Sequence, residues 1–383
     1  MSMKRIILRK RWSKTSVITS VVIVIFFLEL YKYARQFNRK IILFKEIDED
    51  TENKINSSNT AAVLFRSEQI TREEMPPINS RRKDQLYIWT AGESAPSLFH
   101  LRKIWLFWEN KYVFNMTMTY RRDSSLYHPY GTVTEAYSSI QRLGFVDNPG
   151  KILAMKTKLA VAVVSNCNST SGAKVRMQLL KNLKHAGLQA DYYGSCFGNQ
   201  TVPKGNREDF ENLLSKYKFY FAFENSYHCK DYVTEKFYRN ALYLGVVPVV
   251  WGTLKEDYES VAPPRSFIHV EDYPSINHLI KYLNYLNTND TAYLEYFRWH
   301  TLKEYDQKQF NRDYTYCVLC KILHGKNLTD DSTILSSKVT KTLFTKNAYS
   351  SPFPSLRSWF YNGNIRDCLR TQLRILGNNT KIY

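Results

Sequence analysis

Apolar and polar positions along this chain fall into three regimes. Near the N-terminus, Val17–Leu28 is a mostly apolar run broken at Glu29 and weakly extended by Leu30, Tyr31 and Tyr33. A membrane-spanning helix needs about 17–25 such residues. Thr15–Tyr31 reaches the low end of that range if Glu29 sits at the far interface and the two tyrosines anchor there. Residues 35–80 are charged and polar, without periodicity, and read as a flexible stem. From Lys158 onward the pattern becomes strand–helix–strand.

Leu159–Val164 is a continuous apolar run, as in a strand buried on both faces. Ser165–Ser171 is small and polar, hence a loop. Val175, Leu179, Leu180 and Leu183 follow at helical spacing, with Gly187 as a stop, and Leu188–Tyr193 is a second strand. The unit recurs: strand Phe219–Phe223, polar loop Glu224–Asp231, then Val233, Phe237, Ala241 and Leu244 on one helical face. That helix is expected to be capped by Asp231 or Thr234 and closed by Gly245, before strand Val246–Trp251. Such units predict a doubly wound parallel sheet, in which ligands bind beyond the carboxyl ends of the strands. The loops 165–171 and 224–231, and the helix starts behind them, are therefore where a site belongs.

Length and charge sharpen this picture. The 383 residues allow two domains plus appendages, and a 44% hydrophobic content excludes wholesale disorder. Six cysteines are too few to build a scaffold of this size from disulfides. The formal charge is +19, of which residues 1–40 supply +9 through ten Lys/Arg against Glu29 alone. Nucleic acid, anionic lipid and an anionic small molecule all suit a basic chain. A basic flank before the apolar run, with no small-residue cleavage site after Leu28, predicts an uncleaved signal-anchor that leaves the bulk of the chain lumenal. Lumenal exposure makes the Asn-x-Ser/Thr triplets at Asn56, Asn115, Asn168, Asn199, Asn289, Asn327 and Asn378 candidate glycosylation sites. That topology, and the lack of any recognised binding motif, argue against nucleic acid.

The loops carry specific chemistry. The first offers Ser165, Asn166, Ser169 and Arg176; the second offers Glu224, Asn225, Tyr232, Glu235 and Lys236. Two cations beside two helix N-termini suit a diphosphate. Glu224 and Glu235 are more acid than a bare phosphate site needs, and suit the hydroxyls or base edge of a nucleotide sugar. No G-x-G-x-x-G or Walker loop is present. Surface readings of Arg176 and of a Glu235–Arg239 helix pair remain open at this point.

Phe221–Gly252, the run FAFENSYHCKDYVTEKFYRNALYLGVVPVVWG, closely resembles the signature of the α1,3-fucosyltransferases, glycosyltransferase family 10. Phe114–Ser124 with Pro129–Gly131, Val163–Asn166 with Arg176, and Tyr316–Cys320 resemble three further family segments, so the likeness covers roughly 85–325. It implies a GT-B fold: two Rossmann-like domains facing a cleft, behind one transmembrane helix and a stem. The expected divisions are a cytoplasmic tail 1–14, signal-anchor 15–34, stem 35–80, acceptor-side domain 81–155, GDP-fucose-binding domain 156–345 and C-terminal tail 346–383. Carried over by motif, Arg176 and Lys236 would face the diphosphate, and Asn225, Tyr232 and Glu235 would contact guanosine or fucose. Glu93, in Thr90-Ala-Gly-Glu-Ser94, is implied to be the catalytic base.

The implied reaction is inverting transfer of L-fucose from GDP-β-L-fucose to a GlcNAc hydroxyl of a glycoprotein or glycolipid, forming an α1,3 linkage. Inversion needs one base and no covalent intermediate. The one Asp-x-Asp triplet, Asp48-Glu-Asp50, lies in the expected stem, so no metal is expected to be obligatory; a divalent cation stays open as a stimulant. Glycan acceptors and the Golgi membrane are the implied partners, in a single-pass type II arrangement. A catalytically inactive lumenal glycan- or nucleotide-binding relative is the alternative. The implied acceptor is unspecified between outer lactosamine arms and the N-glycan core. Cys317-x-x-Cys320 with His324 lacks an evident fourth zinc ligand, so disulfides are the expectation for the cysteines.

Overall fold

The computed structural model describes residues 40–44, 60–71, 75, 82, 85–101, 103, 114–148, 150–198, 206–301, 314–324 and 356–362. Two five-stranded sheets, each wholly parallel, organise them. The first runs in chain order: β1 (Lys40–Phe44), β2 (Thr60–Arg66), β3 (Leu86–Ala91), β4 (Met116–Thr119) and β5 (Leu126–Tyr127). The second comprises β6 (Lys158–Val163), β7 (Ala190–Tyr193), β8 (Tyr217–Phe223), β9 (Val247–Trp251) and β10 (Ile268–His269), in the spatial order β7-β6-β8-β9-β10. The chain is α/β, as expected.

Counted within its own sheet, that second order is 2-1-3-4-5. The order of a doubly wound sheet reverses between its first and third strands, here β6 and β8, and the loops leaving them diverge to open a crevice. Strand β8 is buried at every position. Its run Tyr-Lys-Phe-Tyr-Phe-Ala-Phe is apolar enough to be covered on both faces, with the one lysine, Lys218, directing its ammonium to the Asn287 carbonyl at 2.8 Å and Asp290 at 3.0 Å.

Three expectations need correction. The stretch 35–80 is not simply a stem, because β1 and β2 lie in it and β2 pairs with both β1 and β3. Ala62, Val63, Leu64 and Phe65 are buried to within 1%. The run Thr60–Phe65 is short and enclosed by charged sequence, which conceals its period; the sheet reveals it. Second, the span 156–345 is not packed on the second sheet throughout. Helix Tyr314–Leu323 returns to the first sheet, where Val318, Leu319 and Leu323 pack with Leu64, Ile88, Met116 and Met118. Third, residues 346–383 are not merely a tail. Leu356 and Phe360 join a core with Trp89 and Tyr120, and Arg121 lies over the Trp359 ring at 4.8 Å while donating to the Trp359 carbonyl at 3.1 Å.

No helix among the described residues is long and apolar enough to cross a membrane. The expected signal-anchor at 15–34 and the Asp48–Asp50 triplet lie outside the described residues.

The core of the second sheet encloses one unusual group. His300 is fully buried against Trp299 and Phe297, neither ring nitrogen has a hydrogen-bond partner among the described residues, and burial pushes its pKa down to about 3. The native state therefore holds a neutral ring where the unfolded chain takes up a proton below about 6.5. Between those values the unfolded state binds more protons, so stability falls as pH falls, by up to about 1.4 kcal/mol per pH unit from this group. We expect His300→Phe to remove that slope. Urea midpoints measured from pH 7 to 4 check it: the native protein should lose stability faster than the variant, and parallel losses would contradict the assignment.

Candidate active site

The expected helix after Asp231 takes a looser form. The Asn240, Leu242 and Tyr243 amides donate to the carbonyls of Glu235, Phe237 and Tyr238, five residues back, before a 3₁₀ turn at Leu242–Leu244. Wide turns of this kind are rare inside helices and concentrate at functional sites. Asp231 does not cap the segment by its side chain, and Thr234 does so only by a long bond, its hydroxyl oxygen accepting from the Lys236 amide at 3.5 Å. Glu224, fully buried at the end of β8, caps it more closely, accepting from the Thr234 amide at 3.0 Å and its hydroxyl at 2.8 Å.

Lys236 is thereby enclosed. Its ammonium donates to Thr234 Oγ1 at 2.9 Å and Glu235 Oε1 at 3.0 Å and is ion-paired with Glu224 Oε2 at 3.1 Å. Burial alone lowers the lysine's pKa, but the two carboxylates outweigh it and hold the ammonium firmly charged. Glu224 is pushed up by burial against the opposing pull of Lys236. Burial raises Glu235 too, but Lys236, its own backbone amide and the Thr234 hydroxyl together lower it more, and it ends below the usual carboxylate range.

Arg176 lies on the other side of the crevice, in helix Ser171–His185. Its guanidinium is buried and donates to the Phe223 carbonyl at 3.0 Å and the Asn166 carbonyl at 2.6 Å. It ties the ends of β6 and β8 together across the switch point, a task that surface readings of this arginine do not cover. The helix start presses close: a Cβ on Gly172 would stand 2.4 Å from the Ser226 Cα, and Thr170 donates to the Asn225 carbonyl. Only glycine fits there. The adjoining loop is fixed by a Cys167–Cys196 disulfide. Cys229 is also disulfide-bonded, whereas Cys317 and Cys320 are thiols, contrary to the expectation for that pair.

Glu93 arrives from the first sheet, two residues past β3 and just before the Ser94 cap of helix Ala95–His100. Its carboxylate accepts from the Tyr232 hydroxyl at 3.2 Å and from Asn225 Nδ2 at 3.4 Å, and Ser94 meets Ser226 hydroxyl to hydroxyl at 2.6 Å. Five of the six site residues inferred from sequence, spread over 93 and 225–236, thus lie together where the two sheets meet, with Arg176 near Tyr232 and Glu235. The half-buried Arg122 guanidinium spans the same junction to Asp231 at 2.7 Å.

Sequence reasoning missed two residues here. Glu68 Oε1 accepts from the Gly92 amide at 2.5 Å and the Glu93 amide at 2.8 Å, and the Tyr130 hydroxyl donates to the Gly92 carbonyl at 2.5 Å. Tyr130 stands in the quoted Pro129–Gly131 stretch and was reachable; Glu68 had no signal, being one acid in an aperiodic segment.

Of the glycosylation candidates, Asn115 is buried, its side-chain oxygen accepting from the Tyr87 amide at 2.8 Å, so this folded state leaves no room for a glycan on it. Asn168 is exposed. Asn289 caps helix Asp290–Leu294 through the Ala292 amide at 2.9 Å and donates to the Tyr285 hydroxyl at 3.1 Å. Asn56, Asn199, Asn327 and Asn378 lie outside the described residues.

Comparison with known proteins places this site in context. Residues 153–339 match the family model for glycosyltransferase family 10 (fucosyltransferase), C-terminal part, and residues 47–131 match the model for the fucosyltransferase N-terminal part. The human 3-galactosyl-N-acetylglucosaminide 4-alpha-L-fucosyltransferase FUT3 is 38% identical over 250 residues, 65% of this chain and 62% of that protein. Its Bos taurus counterpart is 37% identical over 274 residues, 70% and 68% of the two chains. Glycoprotein 3-alpha-L-fucosyltransferase A of Drosophila melanogaster is 34% identical over 281 residues, 72% of this chain and 50% of that one. The chain thus spans 62% of the length of the human relative. A solved α1,3-fucosyltransferase with GDP-fucose aligns over 74% of this chain and 89% of that one, at 18% identity and a TM-score of 0.46, too loose a likeness to carry an argument.

Proposed function

The chain belongs to glycosyltransferase family 10, the fucosyltransferases, and from that premise we propose that it transfers L-fucose from GDP-β-L-fucose to a GlcNAc hydroxyl with inversion, forming an α1,3 linkage on a glycoprotein or glycolipid glycan. The observation that carries the reading is the meeting of Glu93, from the first sheet, with Asn225 and Tyr232 from the second. A GT-B cleft of two Rossmann-like halves has this arrangement. The basic flank and apolar run at the N-terminus support a single-pass type II anchor in the Golgi membrane, with the catalytic part lumenal.

In this reaction Glu93 accepts the proton of the acceptor hydroxyl as its oxygen attacks the anomeric carbon from the face opposite GDP. The bond from that carbon to the β-phosphate oxygen breaks, and its electron pair leaves with GDP. One positioned carboxylate suffices because the oxygen attacks directly and the leaving group departs as an anion. Lys236 and Arg176 supply the compensating charge. Lys236 is already engaged by Thr234, Glu235 and Glu224, and a diphosphate competes with them. Glu224 is buried and committed to Thr234, whereas the Glu235 side chain is 42% exposed and gives way. Donor binding thereby frees the Glu235 carboxylate for sugar hydroxyls or for the positive charge that builds on the anomeric carbon.

The direct test is transfer from labelled GDP-fucose to a panel of lactosamine and N-glycan-core acceptors by the purified protein, with and without chelator. Transfer to none, with GDP bound normally, would leave only a binding role. Glu68 gives a finer check. Glu68→Ala releases the Gly92 and Glu93 amides, and an ångström of misplacement at a catalytic group costs about 100-fold in rate. We expect kcat to fall on that scale with donor affinity unchanged, and Glu68→Gln, which keeps an acceptor oxygen, to recover most of it. Steady-state kinetics of the pair would decide it; equal loss in both variants would argue against a positioning role.

A further inference from the structure

A groove of about 720 Å³ lies outside the cleft, between the segment that follows β9 and the helices that follow β10. Its walls carry Phe267, Tyr282, Tyr285 and Tyr296, with Pro263 and Pro264 at one end. Tyr282 and Tyr285 stand one turn apart on helix Ile276–Thr288, with ring centres 6.2 Å apart and planes inclined by 32°, so the two rings form a shallow continuous face. Tyr285 is 50% exposed, high for so large a ring. Tyr282 and Tyr296 share a hydroxyl–hydroxyl hydrogen bond of 2.8 Å, which presents both phenolic oxygens toward the same space.

The charges at this groove narrow the ligand. Glu259, Asp272 and Glu295 face Lys255 and Arg265, an excess of one acid. Lys255 is already paired with Asp272 at 2.8 Å, and Glu295 with Arg298 at 2.7 Å. A phosphate or other anion would find no uncommitted cluster of cations. A wholly apolar partner would bury these charges at a cost of several kcal/mol each. An uncharged polyol avoids both penalties. The C–H face of a pyranose covers a tyrosine ring, while its hydroxyls exchange hydrogen bonds with carboxylates and phenols. Aromatic walls with a few convergent polar groups, in a volume within the usual 300–1,000 Å³, are the ordinary make-up of a small-ligand site.

We propose that this groove is a second saccharide-binding site, which holds neutral hexose and N-acetylhexosamine units of an oligosaccharide apart from the transfer cleft. It shares the acceptor class of the proposed function and rests on that reading for its choice of saccharide. The segments that build it leave the carboxyl ends of β9 and β10, the edge of the sheet on which the donor loops also lie. An enzyme with such a site favours long or multiply branched glycans over short ones, because a second contact raises the effective concentration of acceptor.

The test uses the full chain and N-acetyllactosamine oligomers of two, four and six sugars. Saturation-transfer NMR without GDP-fucose should detect the hexasaccharide on the protein, and Tyr285→Ala should weaken its affinity at least tenfold. Tyr285→Phe should retain it, because the ring is kept. Tyr285 is half exposed, so neither substitution threatens the fold, and kcat with the disaccharide acceptor should be unchanged in both. Hexasaccharide affinity that is unaltered by Tyr285→Ala, or absent in the native protein, overturns the proposal. Binding that depends on Tyr285 in a protein unable to transfer fucose would sustain the groove and sink the proposed reaction instead.

Discussion

Glu93→Gln is expected to reduce fucose transfer by roughly 10²–10⁴-fold, the usual worth of a positioned general base, while leaving GDP affinity nearly intact. The geometry makes this substitution unusually clean. Glutamine has the volume of glutamate, and its side-chain oxygen still accepts from Tyr232 and Asn225, which contact Glu93 at 3.2 and 3.4 Å. The backbone anchors at Gly92 and Glu93 engage Glu68 and Tyr130, not the Glu93 side chain. What disappears is proton affinity alone. Calorimetric GDP binding and initial rates on one preparation check the split. Turnover within a few-fold of the native rate would remove Glu93 from the role of base, and lost GDP binding would show that the carboxylate serves the donor pocket.

Lys236→Ala should have the second large effect, on two quantities at once. Donor affinity is expected to fall by two or more orders of magnitude as the diphosphate loses its nearest cation. The fold should suffer too. Glu224, fully buried, would lose its ion partner, and breaking a buried pair from one side costs about 3–5 kcal/mol. The double variant Glu224→Gln/Lys236→Met separates these effects. It leaves no buried charge, and the glutamine oxygen still accepts from Thr234, so thermal stability should return toward native while donor affinity does not. If affinity returned with stability, Lys236 would be a structural residue and the diphosphate assignment would fail.

Much of the second sheet was legible because its strands are buried on both faces and read as uninterrupted apolar runs, with Val247–Trp251 the clearest. The same reading erred at residues 231–244. Val233, Phe237, Ala241 and Leu244 do all point inward, but through turns of mixed pitch. Side-chain spacing reports which residues are buried; it does not report the hydrogen-bond ladder that buries them. The first sheet was hidden for another reason. Strands β4 and β5 have four and two residues, too few to establish a period, and β2 sits in charged surroundings. Site residues in the signature run were legible because their neighbours form one contiguous loop. Arg122 and Asp231 were not identified as partners, since they are 109 positions apart and only tertiary structure brings them together.

The return of helix Tyr314–Leu323 to the first sheet bears on how the protein is made. Strand β2 emerges from the ribosome early, but the apolar groups that cover Leu64 and Ile88 are encoded far downstream, and Leu356 and Phe360 further still. At roughly 5–20 residues per second, the first half waits on the order of tens of seconds for its own cover. Over that interval an uncapped parallel sheet exposes apolar surface and strand edges, whereas the second sheet has its helices at hand and can form as soon as it is complete. Residues synthesised late thus complete the sheet begun first. Stalled translation or C-terminal truncation should therefore yield aggregation through the N-terminal half, the part from which nothing has been deleted.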